Sequence, residues 1–170
     1  LKIASDVLGD RAIAVTALSP IFPAWESKEA MAFAGEFGIH LVTLQFNALD
    51  VPAFSQNPAN RCYSCKRELF LQILDIAKKV EIPTVADGTN ADDAGDYRPG
   101  MLATKELGII SPLKTDGMTK ADIRLLSRER NLPTWDKPAF ACLASRFPYG
   151  QEITEEKLRM VGQAEQFLFD

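Results

Sequence analysis

Two cysteines, Cys62 and Cys65, stand in the stretch NRCYSCK at 60–66, and a third, Cys142, in PAFACLASRFPYG at 138–150. The two-residue gap lets both sulfurs of the pair meet one metal or each other. With Cys142 they make three potential thiolates and no fourth, whereas a structural zinc site normally closes with four ligands. Three thiolates on an iron–sulfur cluster leave one iron open, a defect for electron transfer but an asset for binding an extra sulfide. The alternative is a redox-inactive pair plus a cysteine that only packs, and it leaves unexplained why CYSC follows an irregular polar loop. His40, the sole histidine, falls in a predicted strand and reads as a core or strand-end residue rather than a ligand.

Charged and polar neighbours suggest an anion. Ser145 and Arg146 set a hydroxyl beside a guanidinium, which suits phosphate because the arginine fork supplies two aligned charge-assisted bonds. Pairing of Arg146 with a surface acid is the local alternative. Lys66, predicted on the first turn of a helix, is disfavoured there by the helix dipole. A bound polyphosphate would offset that cost, and a solvated lysine is the plainer reading. The acidic run DGTNADDAGDYRPG at 87–100 could bind Mg2+ through carboxylates, shape a nucleotide site through the Gly88 backbone and the Thr89 and Asn90 side chains, or simply be a solvated loop. Its Tyr97-Arg98-Pro99-Gly100 ending is a turn that fixes the direction of the chain. Trp25 and Trp135 adjoin proline-containing segments and read as packing anchors.

These residues need elements to position them. LKIASDVLGD reads as helix, AIAVTAL at 12–18 as a central strand ended by Ser19-Pro20, and 25–38 as a helix with Ala30, Met31, Phe33, Ala34 and Phe37 at helical spacing. IHLVTLQF at 39–46 is the next strand, which gives a βαβ rhythm. NALDVPAFSQNPANR at 47–61 has no clean period and reads as a loop leading into a site. A helix is expected over 63–80 with Leu69, Phe70, Ile73, Leu74 and Ala77 on one face. CYSC then lies at its N-terminus, where the dipole is expected to lower thiol pKa. IPTVADGTN is a strand running into a polar turn, MLATKELG a short helix and IISPL a strand. Over 119–130 the TKAD start approximates a capping box, with Ile123, Leu125 and Leu126 predicted to face inward. Alternating strands and helices indicate an α/β fold with an open, mostly parallel sheet, in which ligands bind at the C-terminal ends of strands.

The bulk numbers narrow the function. A chain of 170 residues, 46% hydrophobic, supports one full-sized core. A net charge of −4 leaves no excess of Lys and Arg to neutralise phosphates, so no stable nucleic acid partner is expected. There is no run of about 18 apolar residues and no signal-peptide pattern, so no membrane partner and a cytoplasmic location are expected. An odd cysteine count with a CYSC pair argues against a secreted disulfide framework. The first ten residues read as the last turns of a helix and the last sixteen stop inside an amphipathic pattern, so an incomplete chain is expected.

Several of these stretches together resemble the LarE family, the ATP-dependent sulfur transferases of the PP-loop pyrophosphatase superfamily that help to make the nickel-pincer nucleotide cofactor of lactate racemase. The likeness is carried by the SP and WE of SPIFPAWE at 19–26, NRCYSCK at 60–66, DGTNADDAGDYRPG at 87–100, SPLKTDGMTKADIRLLSRERNLPTWDKP at 111–138 and, most specifically, ACLASRFPYG at 141–150. The 111–138 pattern is shared more widely with other PP-loop enzymes, including NAD synthetases. The resemblance implies helices on both faces of the sheet, a PP-loop ATP pyrophosphatase-like domain over 1–150 that is incomplete at its N-terminus, and the start of a C-terminal region over 151–170. The family's SGGxDS PP-loop is expected upstream of Leu1, so this stretch alone is expected to be catalytically weak or dead.

By the same resemblance, ATP adenylates a carboxylate of a pyridinium-dicarboxylate mononucleotide and a sulfur nucleophile displaces AMP to leave a thiocarboxylate. It puts Cys142 at the sulfur-donor position. In one branch of the family that cysteine gives up its own sulfur. In another, three cysteines hold a 4Fe-4S cluster whose open iron carries sulfide, and Cys62 and Cys65 favour that branch. Ser145 and Arg146 match positions near the reacting phosphates, Lys66 the lysine after the cysteine pair, Gly88, Thr89 and Asn90 nucleotide-side residues, and Asp96 and Arg98 residues that orient substrate. ATP, Mg2+ and the cluster are thus the implied cofactors, a homo-oligomer the implied assembly, and the sulfide donor is left unnamed. A tRNA-thiolating PP-loop enzyme and a non-catalytic metal-binding module of the same fold are the rival readings.

Overall fold

The computed structural model describes residues 1–95 and 98–169. Helix α1 (Lys2–Leu8) leads into strand β1 (Ala14–Leu18), helix α2 (Ala24–Glu36) and strand β2 (Leu41–Gln45). The two strands pair in parallel, Ala14 opposite Leu41 through Leu18 opposite Gln45, so the first third of the chain is the expected βαβ unit. Helix α2 ends where Gly38 takes φ +62°, which lets the Ile39 N–H reach back to the Ala34 carbonyl at 2.8 Å in a Schellman closure. Ala14, Ala34 and Ile39 are buried together behind this unit.

Helices α3 (Arg61–Lys79), α4 (Pro99–Glu106), α5 (Pro112–Thr115), α6 (Lys120–Glu129) and α7 (Glu155–Phe169) follow. The architecture is α/β with parallel pairing, but the sheet is smaller than the sequence suggests. The expected strands in 82–90 and 109–113 contribute one parallel bridge, Ala86 with Ile110, because Pro112 and Leu113 turn into α5. At α6 the capping box is real, with Thr119 and Asp122 each bonded to the other's backbone. Its apolar residues depart from expectation: Leu125 and Leu126 are 58% and 39% exposed.

The largest core lies outside the sheet. Ile21, Phe46, Ala48, Val51 and Phe54 pack against Leu143, Ala144, Phe147, Ile153 and Leu158, each of the larger side chains contributing about 2 kcal/mol through its burial. The segment 47–61, which shows no period in sequence, is therefore a packed loop. It turns through positive φ at Ala53 and Asn57 and is stitched to the C-terminal segment by Ile153 N–H to Ser55 O at 2.8 Å and Gly150 N–H to Asn57 O at 2.9 Å. This core is the floor on which Cys65 and Cys142 sit.

Candidate functional site

The first turns of α3 carry Arg61, Cys62, Cys65 and Lys66, and the chain before a short 3-10 turn (Leu143–Arg146) carries Cys142. The Leu143 N–H donates to the Ile21 carbonyl at 2.8 Å, which anchors the Cys142 segment beyond the end of β1, and the packing of both Cys65 and Cys142 on the main core brings the two cysteine segments together. All three cysteines are free and partly buried. Burial, then the charges of Cys142 and Cys62, push the Cys65 thiol up to about 12, with Lys66 and Arg61 opposing. Burial, then Cys62, also push Cys142 up, with Arg61 and the amides of Ala144 and Ser145 opposing. The thiols thus lie within one another's electrostatic reach.

This corrects one expectation. Cys65 lies in the second turn of α3, where burial and mutual repulsion outweigh the helix dipole that was expected to lower its pKa. Lys66 is likewise a second-turn residue, so the dipole cost assigned to it shrinks. Among the described residues no group of three or more His, Cys, Asp and Glu side chains is placed to hold a single metal ion.

Lys66 is positioned by its stem. A Cβ on Gly100 would come within 2.7 Å of Lys66 Cδ and 3.3 Å of the Cys62 carbonyl oxygen, so the glycine lets α4 lie against the cysteine turn with the Lys66 stem where it is. The Lys66 ammonium extends 6.0 Å from the centre of the Phe70 ring. Tyr63 adds a second tie, its hydroxyl donating to Glu106 at 2.6 Å.

Ser145 and Arg146 are adjacent as the sequence requires, and Arg146 donates to the Ser145 hydroxyl at 2.6 Å. Its Nε meets Glu165 of α7 at 2.5 Å, which is the acid pairing the sequence left open. A phosphate there would compete with Glu165. Gly88, Thr89 and Asn90 lie in a turn organised by Asp87, whose carboxylate accepts from Thr89 N–H at 3.1 Å, Thr89 Oγ1 at 2.7 Å and Ser111 Oγ at 2.7 Å. Farther along, Asp92 accepts from the first amide of α6 at 2.8 Å, and Asp93 accepts from Asn90 N–H at 3.0 Å and pairs with Arg98 at 2.8 Å. Asp96 lies outside the described residues. His40 is exposed at the start of β2, the strand-end placement of the two expected for it, and its carbonyl accepts from the Ala14 N–H at 2.8 Å. Trp25 is an anchor, edge-on to Phe140 at 5.0 Å, whereas Trp135 is half-exposed beneath Arg128.

Sequence reasoning missed three residues of this corner: Asn57, Arg61 and Gly100. Asn57 is fully buried, accepts from Arg61 and donates to the carbonyls of Phe147 and Pro148 at 3.3 and 2.8 Å. It ties the start of α3 to the FPYG turn. The available signal was an arginine in the first turn of a helix, where the dipole disfavours a cation unless something local recruits it.

No model of a known protein family matches the chain. The chain is 47% identical over 98% of its length to an uncharacterized protein of Synechocystis sp.. It is 36% identical over 99% of its length to the pyridinium-3,5-bisthiocarboxylic acid mononucleotide synthase of Lactiplantibacillus plantarum, and 30% identical over 88% of its length to an uncharacterized protein of Methanocaldococcus jannaschii. It spans 62%, 61% and 57% of the lengths of these three relatives.

Proposed function

We propose that the chain belongs to the LarE family and forms the sulfur-handling part of an enzyme that converts carboxylates of a pyridinium mononucleotide to thiocarboxylates. The observation that carries this reading is the convergence of Cys62 and Cys65 with Cys142, from segments far apart in sequence, in a chain similar over 99% of its length to a named bisthiocarboxylic acid mononucleotide synthase.

The chemistry follows from electrophile and nucleophile. A carboxylate resists attack until one oxygen becomes a leaving group. Transfer of AMP from ATP to that oxygen, with release of pyrophosphate, provides one. Sulfur then bonds to the carbonyl carbon, the carbon–oxygen bond to AMP breaks, and the thiocarboxylate is left. In this reading Cys142 stands at the sulfur position, and Ser145 and Arg146 follow it closely enough for their donors to face the leaving phosphate. Lys66 offers a second cation, held by its contact with Gly100. Gly88, Thr89 and Asn90 are assigned to the nucleotide and Arg98, with Asp96, to the substrate.

Three half-buried thiols that influence one another electrostatically offer the donor chemistry of an iron–sulfur cluster. When bound, such a cluster would supply an open iron able to carry exchangeable sulfide. Cys62, Cys65 and Cys142 would hold it and survive turnover. The acidic run fits Mg2+ poorly, because Asp87, Asp92 and Asp93 already accept bonds from the protein. We therefore assign Mg2+ to the ATP phosphates.

The test is iron and acid-labile sulfide content of the anaerobic full-length protein, beside Cys62→Ala, Cys65→Ala and Cys142→Ala. About four irons per chain, lost in each variant, are expected, together with thiocarboxylate product when ATP and the dicarboxylate mononucleotide are supplied. Product without iron, with loss of sulfur from Cys142, would replace the cluster by a sacrificial cysteine. No product from iron-replete full-length protein would sink the reading.

A further inference from the structure

A buried amide side chain must find partners for one acceptor and two donors or cost stability. Asn57 is fully buried, and its partners lie on the two segments that carry the cysteines. Its Oδ1 accepts from the Arg61 guanidinium, in the first turn of α3 and directly before Cys62. Its Nδ2 donates to the Phe147 and Pro148 carbonyls at 3.3 and 2.8 Å, in the turn that follows Cys142. The side chain is thus used entirely in joining one segment to the other. Its backbone is held separately: the N–H donates to the Phe54 carbonyl and the carbonyl accepts from the Gly150 N–H, both at 2.9 Å. The φ of +54° is one that asparagine tolerates better than most residues. The usual local devices are missing at the start of α3, where Asn60 makes no side-chain cap bond and no acid stands in the first turn. An apolar side chain of similar volume would fill the Asn57 site without fixing a distance across it. Three directional bonds fix one.

We propose that Asn57 is a positioning residue of the sulfur site: its side chain sets how far the turn carrying Cys62 and Cys65 stands from Cys142. It acts through Arg61 and the FPYG turn, and the sulfurs do the chemistry. The core beneath makes the two segments meet, and Asn57 fixes their spacing. The Gly150 bond to the Asn57 carbonyl and the packing of Phe54 do not involve the Asn57 side chain. Its loss therefore leaves the loop docked and lets the spacing drift. The inference rests on the sulfur-transfer reading for its purpose, but its test needs neither ATP nor substrate.

Reduced full-length protein is treated to completion with bis(maleimido)ethane, a short two-headed thiol reagent, and the linked cysteine pairs are identified by peptide mass. A link between Cys62 and Cys65 lies within one helix and serves as the internal reference, whereas a link from either to Cys142 reports the spacing. Asn57→Asp keeps an acceptor for Arg61 but has no donor for Phe147 and Pro148, and Arg61→Met cuts the other end of the tie. Each is expected to lower the ratio of cross-segment to within-helix links about fivefold, because linking follows the effective concentration of the second thiol. The double variant is expected to match the singles, since a tie cut at one end no longer joins. Ile39→Ala, which loosens the separate core behind the βαβ unit, is expected to hold the ratio within about twofold. An unchanged ratio in either folded single variant, a further fall in the double variant, or an equal fall in Ile39→Ala overturns the proposal, as does a wild type without cross-segment links. Should Asn57→Asp fail to fold, Arg61→Met decides by the same ratio. Failure of the sulfur-transfer reading looks different, as absent thiocarboxylate formation with the linking ratio still dependent on residue 57.

Discussion

In the acidic loop, Asp87 takes bonds from Thr89 and Ser111, Asp92 caps α6, and Asp93 takes the Asn90 amide and Arg98. At the cysteine corner the polar groups are fewer and differently used. Asn57 is fully occupied in joining α3 to the FPYG turn, while the buried Arg61 Nε beside it has no hydrogen-bond partner among the described residues. The loop's charges hold the chain in shape, and the corner leaves one donor over.

The sharpest break between the two regions is chemical. With Cys65 raised from 9.0 to about 12, iron-free protein carries roughly a thousandfold less thiolate at that position than an ordinary thiol at the same mildly alkaline pH. Its alkylation rate is expected to keep climbing as pH rises past 10 instead of levelling there. Levelling near 9 in stopped-flow alkylation would show that the corner is open to water. Next in size is the contrast between two substitutions. Asn57→Ala strands the Phe147 and Pro148 carbonyls and an Arg61 nitrogen in the interior, for a loss of about 3 kcal/mol. Asp87→Ala removes three bonds in a half-buried turn that water can refill, for about 1 kcal/mol. Urea midpoints compare them, and equal losses would erase the distinction drawn between the regions.

The smallest effect is expected at the α6 cap. The Thr119 hydroxyl, then its amide, hold the exposed Asp122 carboxyl below its usual range. That contribution is present above the unfolded carboxylate pKa and is lost as pH falls through the lower folded value. Thr119→Ala should therefore cost less than Asp87→Ala at neutral pH and show a shallower loss on acidification, read from thermal midpoints between pH 6 and about 2.

Helices were legible because their periods and caps are local: TKAD gives the start of α6, and the apolar spacing of 69–77 gives α3. The outer strands were over-read: IPTVADGTN and IISPL were expected as strands, and only a parallel bridge between Ala86 and Ile110 forms because Pro112 and Leu113 turn into α5. Segment 47–61 was read as a loop, correctly, but its burial was invisible because Phe54 and Asn57 are placed by turns rather than by a repeat. The three cysteines could be singled out by residue type and spacing; their convergence depends on contacts between 143–158 and 46–54 that no local pattern encodes. Arg61 and Gly100 were overlooked for the same reason, their meaning lying in partners distant along the chain.

The position of the main core has a consequence for synthesis. As the chain leaves the ribosome, β1, α2 and β2 can assemble early, but Phe46, Val51 and Phe54 have no lasting cover until residues 143–158 emerge. For the time needed to make roughly ninety residues, at several residues per second, the nascent protein carries an exposed aromatic patch and unassembled thiols. Closure of that late, long-range contact completes the core and gathers the cysteines in one event.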